Sequence, residues 1–240
     1  MLHSAMGCSR RFYSMVPGLG RHYRVVRPDM RGHGASQVPP ETLPLTKERL
    51  TEDVLELLAV LKLDKVHVVG NSAGGYIAQQ LAIHHPQRVK SIALFGATPG
   101  LSHTNAASWL PQVEKKGLRA FLAETISDRF PVGEADPRLV EWFLGEAAKT
   151  DAAYLKRFIG YWSGVDFMDE IHRIRCPALI VAPGAEPIGR TDTYSEMHKR
   201  IAGSELVFYE NARHNICDYL PDRCVADILA FLERRFGAHA

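Results

Sequence analysis

Long hydrophobic runs and an excess of one charge are both missing from this sequence of 240 residues. No apolar stretch reaches the roughly 20 residues that span a bilayer, and the N-terminus lacks the basic start and apolar core of a signal peptide. The formal net charge is only +2 and the basic residues form no long run. These absences predict a cytoplasmic protein without a membrane or nucleic-acid partner.

Cysteine is also scarce, and internal repeats and low-complexity segments are absent. The four cysteines form neither a C-x-x-C pair nor a spacing typical of metal ligands. This pattern favours reduced thiols over a disulfide framework and predicts no bound metal. The apolar fraction of 46% and the charged fraction of 23% are ordinary for a globular protein. The length suits one sizeable α/β domain, alone or with an insertion.

The most informative stretch that is present surrounds Ser72. An apolar run rich in β-branched residues leads into Gly70-Asn71-Ser72-Ala73-Gly74, and a helical pattern follows over 76–82. A G-x-S-x-G motif indicates a nucleophilic serine only when a strand precedes it and a helix follows it. The flanking glycines let strand and helix approach closely. The context therefore favours a nucleophile elbow over an ordinary strand-to-helix loop.

Strand and helix patterns alternate through most of the chain. A helix begins at Thr46, a possible N-cap, and the last helix covers about 221–236. Continuous apolar strands that alternate with helices are typical of a parallel sheet covered on both faces. The predicted strands are 23–28, 65–69, 91–96, 176–182 and 205–209.

The alternation stops between about 101 and 165, where helical periods recur without a convincing strand. Such a block predicts a helical cap over the carboxyl edge of the sheet. Most of its aromatic side chains are expected to pack the cap onto the core rather than to line a pocket. The sequence thus predicts a core of residues 1–100 and 166–240 and an inserted cap of residues 101–165.

Three loops that follow successive strands carry side chains suited to nucleophilic catalysis. A serine hydroxyl is a weak nucleophile, and it needs a base that an acidic group orients. In chain order these loops offer Ser72, Glu186 and His214. Nucleophile, acid, histidine is the order expected in α/β-hydrolases.

The chain resembles an α/β-hydrolase over essentially its whole length. The resemblance lies in the elbow around Ser72, the loop Asp29-Met30-Arg31-Gly32-His33-Gly34, and the loops Glu186-Pro187-Ile188 and Ala212-Arg213-His214. It implies the α/β-hydrolase fold, a mostly parallel sheet with helices on both faces and a helical cap. His33 is then a structural support near the site.

The resemblance also implies roles for single residues. Ser72 becomes the nucleophile, His214 the base and Glu186 the acid. Relatives usually have Asp in this acidic turn, where the present chain has Glu186, so Asp192 is the alternative acid. Asp192 is otherwise explained as a cap of the helix that follows it.

By the same resemblance, the backbone N–H groups of Ala73 and Ala5 form the oxyanion hole. Ser4 stands where the family pattern has glycine, so the turn is either narrower there or gains a hydroxyl donor. Relatives also carry two strands and most of a third before this turn, of which only Met1 and Leu2 could remain. The loss of an internal strand would leave backbone groups unpaired. A start upstream of Met1 is therefore favoured over a different pairing of the N-terminus.

The function that the resemblance implies is a cofactor-independent serine hydrolase, without metal, which cleaves an ester, lactone or related carbonyl bond of a small molecule through an acyl-enzyme. The subgroup most similar contains enol-lactone hydrolases, ring-cleavage-product hydrolases and haloperoxidase-like esterases. Two alternatives stay open. One is a ligand-binding or inactive relative, and the other is a cofactor-free lyase or C–C hydrolase on the same fold.

Overall fold

Four apolar segments pair side by side as a parallel sheet in the computed structural model, which describes residues 1–237. Their order in the sheet is their order in the chain, and every neighbouring pair is parallel. Parallel neighbours need crossover connections, so helices cover both faces of the sheet. The strands are β1 (Val66–Asn71), β2 (Val89–Phe95), β3 (Ala178–Pro183) and β4 (Glu205–Tyr209).

The crossovers and the inserted block are helical. None of the helices in residues 1–237 combines the length and the apolar character needed to cross a bilayer. The α-helices are α1 (Val16–Leu19), α2 (Lys47–Val60), α3 (Ala73–His84), α4 (Trp109–Lys116), α5 (Leu118–Glu124), α6 (Pro137–Ala147), α7 (Ala152–Ser163), α8 (Thr191–Arg200), α9 (Ile216–Tyr219) and α10 (Pro221–Phe236). Short 3₁₀ turns lie at Ser9–Met15, Pro86–Arg88, Ala106–Ser108, Ile126–Asp128 and Ile171–Arg173.

Two apolar cores lie on opposite faces of the sheet, because successive strand residues point to opposite sides. Val68 of β1 and Ile92 of β2 join the core that contains α3 and the inserted helices. Their neighbours Val69 and Ala93 join the other core, with α10 and the 3₁₀ turn Ser9–Met15. This confirms the α/β-hydrolase arrangement of a parallel sheet between two helical layers.

Helix boundaries with a local cause agree with the sequence. The Thr46 hydroxyl accepts the backbone N–H of Arg49 at 3.1 Å, which makes Thr46 the N-cap of α2. The closing helix runs from Pro221 to Phe236 as predicted. Proline at the first helical position loses no hydrogen bond, since that N–H has no partner inside a helix.

The prediction of a strand at 23–28 is wrong. This segment is extended, but it has no partner strand among residues 1–237. Only Met1 and Leu2 lie between it and β1, where the Met1 amino group donates to Val26 O at 2.7 Å and Leu2 N–H to Val69 O at 2.8 Å. Two residues are too few for a ladder, so an apolar groove of about 240 Å³ remains beside β1.

The block between β2 and β3 is helical, and its two ends meet beside the sheet. An antiparallel bridge between Gly100 and Asp166 closes its base. Gly100 has φ +108°, and a Cβ there would lie 2.1 Å from the Val165 carbonyl oxygen, so glycine is required. Most aromatic rings of the block are buried, among them Phe121 and Trp162. The division into core and cap stays a prediction.

Candidate active site

The turn around Ser72 is strained and closely packed. Ser72 has φ 51° and ψ −118°, between the end of β1 and the start of α3. A Cβ on Gly74 would lie 2.0 Å from the Leu2 carbonyl oxygen, and one on Gly70 would lie 2.5 Å from the Cα of Gly75. Neither position accommodates a side chain, so both glycines of the motif are needed for strand and helix to meet. A positive φ outside glycine is costly and concentrates at functional sites.

The structure brings Ser72, His214 and Glu186 together. His214 Nε2 lies 3.0 Å from Ser72 Oγ, and His214 Nδ1 lies 2.8 Å from Glu186 Oε2. All three residues are buried, with 6–8% of their surface exposed. The distances fit an imidazole whose Nδ1–H donates to Glu186 and whose Nε2 accepts the Ser72 hydroxyl proton.

Backbone donors hold the Glu186 carboxylate in place. Oε1 accepts the N–H groups of Ile188 at 2.7 Å and Gly189 at 2.9 Å, and the Tyr194 hydroxyl donates to Oε2 at 3.3 Å. Burial, the largest influence, raises the pKa of Glu186, but the charge and hydrogen bond of His214 and the two N–H groups together lower it below its ordinary value. The carboxylate is therefore ionised at neutral pH.

Asp192, the alternative acid, lies elsewhere. It is exposed in the first turn of α8, and its carboxylate pairs with Arg190 Nη2 at 2.9 Å. That hydrogen bond lowers the pKa of Asp192. The carboxylate that faces His214 Nδ1 belongs to Glu186.

The two predicted oxyanion donors line the same cavity as Ser72. Ala73 is the first residue of α3, and N–H groups in the first turn of a helix have no acceptor inside it. The Ala5 N–H likewise donates no backbone hydrogen bond within residues 1–237. Both donors are thus available to a ligand at Ser72.

Ser4 is held by a buried ion pair between Arg11 and Asp218, which sequence analysis did not predict. Arg11 Nη1 donates to Ser4 Oγ, and Arg11 Nε donates to Asp218 Oδ1 at 2.9 Å. The Arg11 and Asp218 side chains are only 5% and 1% exposed. The partners are 207 residues apart, so no local pattern could have revealed them. The serine that departs from the family pattern therefore fixes the turn next to Ala5.

Two histidines in edge-on contact, His3 and His33, support this turn in their neutral form. His3 Nδ1 donates to Ser4 O at 2.8 Å, and His3 Nε2 accepts the Met30 N–H at 2.9 Å. A proton on Nε2 would face that N–H. Burial, followed by the neighbouring His33, lowers the pKa of His3 to about 3. His33 packs edge-on against His3 at 5.2 Å, and burial lowers its pKa to about 4. The site geometry thus depends on two uncharged imidazoles.

Acidification is expected to destabilise the protein through His3 and His33. The unfolded imidazoles protonate below about pH 6.5, whereas the folded ones do so only near pH 3 and 4. The stabilisation is therefore complete above pH 6.5 and is lost as the pH falls toward these folded values. Between pH 7.5 and 5.5 the two residues together cost about 3 kcal/mol in the free energy of unfolding. Urea denaturation at both pH values measures the difference.

The matched variants for this experiment are His33→Gln and His172→Gln, since His172 is exposed. We expect the loss in the free energy of unfolding that His3 and His33 cause between pH 7.5 and 5.5 to be about half as large in His33→Gln. In His172→Gln this loss should equal that of wild type. An equal loss on acidification in all three proteins would contradict the assignment.

The chain belongs to the α/β hydrolase fold family, whose model matches residues 1–136, more than half of its length. A crystal structure of a hydrolase from Pseudomonas aeruginosa is similar, with 31% identity and a TM-score of 0.86 over 96% of this chain and 88% of that one. The 3-oxoadipate enol-lactonase 1 of Acinetobacter baylyi is 31% identical over 72% of this chain and 65% of its own. A proline iminopeptidase of Pestalotiopsis fici is 26% identical over 95% of this chain and 88% of its own.

Proposed function

We propose that the chain is a cofactor-independent serine hydrolase that cleaves an ester, lactone or related carbonyl bond of a small molecule. The observation that carries the proposal is the hydrogen-bonded series from Glu186 through His214 to Ser72. A serine activated in this way is the nucleophile of acyl-transfer enzymes. The enol-lactonase and the peptidase among the relatives support acyl transfer as the reaction type.

The proposed reaction passes through an acyl-enzyme. Ser72 Oγ attacks the substrate carbonyl carbon while His214 Nε2 takes the hydroxyl proton. The N–H groups of Ala73 and Ala5 hold the oxyanion, and collapse of the tetrahedral intermediate breaks the bond to the alcohol, which receives the proton from His214. Water then attacks the acyl-enzyme with His214 as base, which releases the acid and restores Ser72. No step needs a metal or a cofactor.

The helices of residues 101–165 form the proposed cap over the core of residues 1–100 and 166–240. Trp109, Phe143 and Phe158 from this block line the cavity that contains Ser72 and His214. Aromatic walls with a few polar groups are typical of small-molecule sites. In this proposal the cap selects the substrate and the core performs the reaction.

Labelling by a fluorophosphonate tests whether Ser72 is activated. We expect one label per folded chain, found by peptide mass analysis on the segment that contains Ser72, because only a serine with a functioning base attacks phosphorus readily. Heat-denatured protein is the control and should stay unlabelled. A p-nitrophenyl ester series from acetate to octanoate then measures turnover.

Each other outcome identifies an alternative. A folded protein without label contradicts the proposal and favours a relative that only binds its ligand. A label on another residue excludes Ser72 as the nucleophile. A label on Ser72 without turnover of any ester in the series favours the cofactor-free lyase or C–C hydrolase.

A further inference from the structure

A guanidinium without an acidic partner lies at the cavity around Ser72. Arg129 is 4% exposed and lines this cavity. Its hydrogen bonds run from Nη1 to the carbonyl oxygen of Thr125 at 3.1 Å and to Thr125 Oγ1 at 3.0 Å. No carboxylate oxygen of residues 1–237 lies within 4.0 Å of its nitrogens, whereas Arg11 at the same cavity is paired with Asp218.

Aromatic faces hold Arg129 but do not neutralise it. Its guanidinium carbon lies 5.7 Å from the ring centre of Trp109 and 5.9 Å from that of Phe121. Such contacts return part of the solvation that burial removes. Burial lowers the pKa of Arg129 to about 10, so the side chain stays charged at neutral pH.

The backbone places Arg129 beside the base of the site. The Asp128 carbonyl oxygen accepts the His214 N–H at 3.2 Å, and the Arg129 carbonyl oxygen accepts the Asn215 N–H at 3.0 Å. Asn215 also lines the cavity, and its buried Nδ2 has no hydrogen-bond partner in the described part of the chain. The Arg129 guanidinium and the Asn215 amide, neither of which contacts a carboxylate within residues 1–237, thus lie on two hydrogen-bonded segments next to His214.

The two buried carboxylates at the site already have hydrogen-bond partners, whereas Arg129 is balanced only at longer range, by Asp128 and Glu186. Asp218 is taken up by Arg11, and Glu186 by His214. Burying a guanidinium is costly when its N–H groups lack acceptors, and the hydrogen bonds of Arg129 within residues 1–237 use Nη1 alone, so an anionic ligand group is favoured at this point. A planar guanidinium and a neighbouring amide donor match the geometry of a carboxylate.

We propose that Arg129, assisted by Asn215 Nδ2, binds a carboxylate of the substrate whose ester or lactone carbonyl reacts at Ser72. The substrate class is then half-esters of dicarboxylic acids and lactones that carry a free carboxylate. This inference rests on the proposed hydrolase function and names its substrate class. Arg129 selects and positions the substrate and takes no part in bond breaking.

A matched pair of esters tests the carboxylate site. Mono-p-nitrophenyl glutarate and p-nitrophenyl valerate have the same chain length and differ in a terminal carboxylate against a methyl group. We expect wild type to prefer the glutarate in kcat/KM by about 10-fold or more, and Arg129→Met to lower this preference by about 10- to 100-fold, the size of a hydrogen-bonded charge interaction. Arg129→Lys keeps the positive charge but loses the planar guanidinium, so its preference for the glutarate should lie between those of wild type and Arg129→Met.

The control is Arg119→Met, which removes an exposed arginine of α5 that pairs with Glu141. Its ester preference should equal that of wild type. Wild type that prefers the valerate, or a preference that Arg129→Met leaves unchanged, overturns the proposal and leaves Arg129 as a structural link between Thr125 and the two rings. If Arg129→Met does not fold, wild type and Arg129→Lys decide the question.

Failure of the hydrolase proposal gives a different result. In that case wild type hydrolyses neither ester and takes up no fluorophosphonate. Calorimetry with glutarate then decides the carboxylate site, through binding to wild type that Arg129→Met weakens at least about 10-fold. Equal binding, or none to wild type, overturns it.

Discussion

Glu186→Gln is expected to lower kcat on a p-nitrophenyl ester by about 10³- to 10⁴-fold, the loss seen when the acid of such a site becomes an amide. Glutamine keeps the shape of Glu186 and can still accept the N–H groups of Ile188 and Gly189. The glutamine then places either its NH₂ group or its oxygen at the position of Oε2. The NH₂ group would donate to His214 Nδ1, and the oxygen would accept the Nδ1–H without a negative charge. The imidazolium formed during the reaction then loses its counter-ion.

Asp192→Asn is the matched control for Glu186→Gln. Asp192 pairs with Arg190 at the surface, so we expect kcat within about 2-fold of wild type, as for substitutions away from a site. Steady-state kinetics on one ester measures all three proteins, with the far-ultraviolet circular dichroism spectrum as a check on folding. A large loss in Asp192→Asn together with a small one in Glu186→Gln would reverse the assignment of the acid.

Asp218→Ala is expected to reduce the free energy of unfolding by about 3–5 kcal/mol, because it leaves the Arg11 charge buried without a partner. The Arg11 and Asp218 side chains are almost inaccessible, and water cannot replace the lost carboxylate easily. Since Arg11 also donates to Ser4 Oγ, activity should fall together with stability. Urea denaturation at pH 7.5 measures the first effect.

Two further variants separate the buried charge from the lost packing. The double variant Arg11→Met with Asp218→Leu removes both charges, and we expect it to recover much of the stability. Glu141→Ala breaks an ion pair whose side chains are 48% and 66% exposed, and it should cost less than about 1 kcal/mol. If the double variant is as unstable as Asp218→Ala, then lost packing, and not the unpaired Arg11 charge, causes the loss of stability.

Elements with a local cause were predictable from the sequence. The N-cap at Thr46 and the helix from Pro221 to Phe236 depend on neighbouring residues and on an apolar period. The strand expected at 23–28 was wrong for the opposite reason. Its β-branched composition favours extension, but a strand also needs a partner, and pairing is decided by residues far away in the chain.

The same distinction applies to the candidate site. Ser72, Glu186 and His214 could be proposed from the sequence because each follows a strand, and parallel strands bring such loops to one edge of a sheet. Arg129 lies in a polar stretch of an inserted helical block, which carries no comparable pattern. Its proposed role depends on its burial and on the lack of a contacting carboxylate within residues 1–237, and neither can be read from the sequence.

The two backbone hydrogen bonds between 128–129 and 214–215 act as an interlock. If the inserted helices moved outward at this corner while these bonds held, His214 would be drawn away from Ser72, and its hydrogen bond to the Ser72 hydroxyl would break. An entrance at this corner and a competent nucleophile therefore exclude each other. In the proposed hydrolase, substrate would therefore have to enter from another side, or this corner would have to close before His214 can take the Ser72 proton.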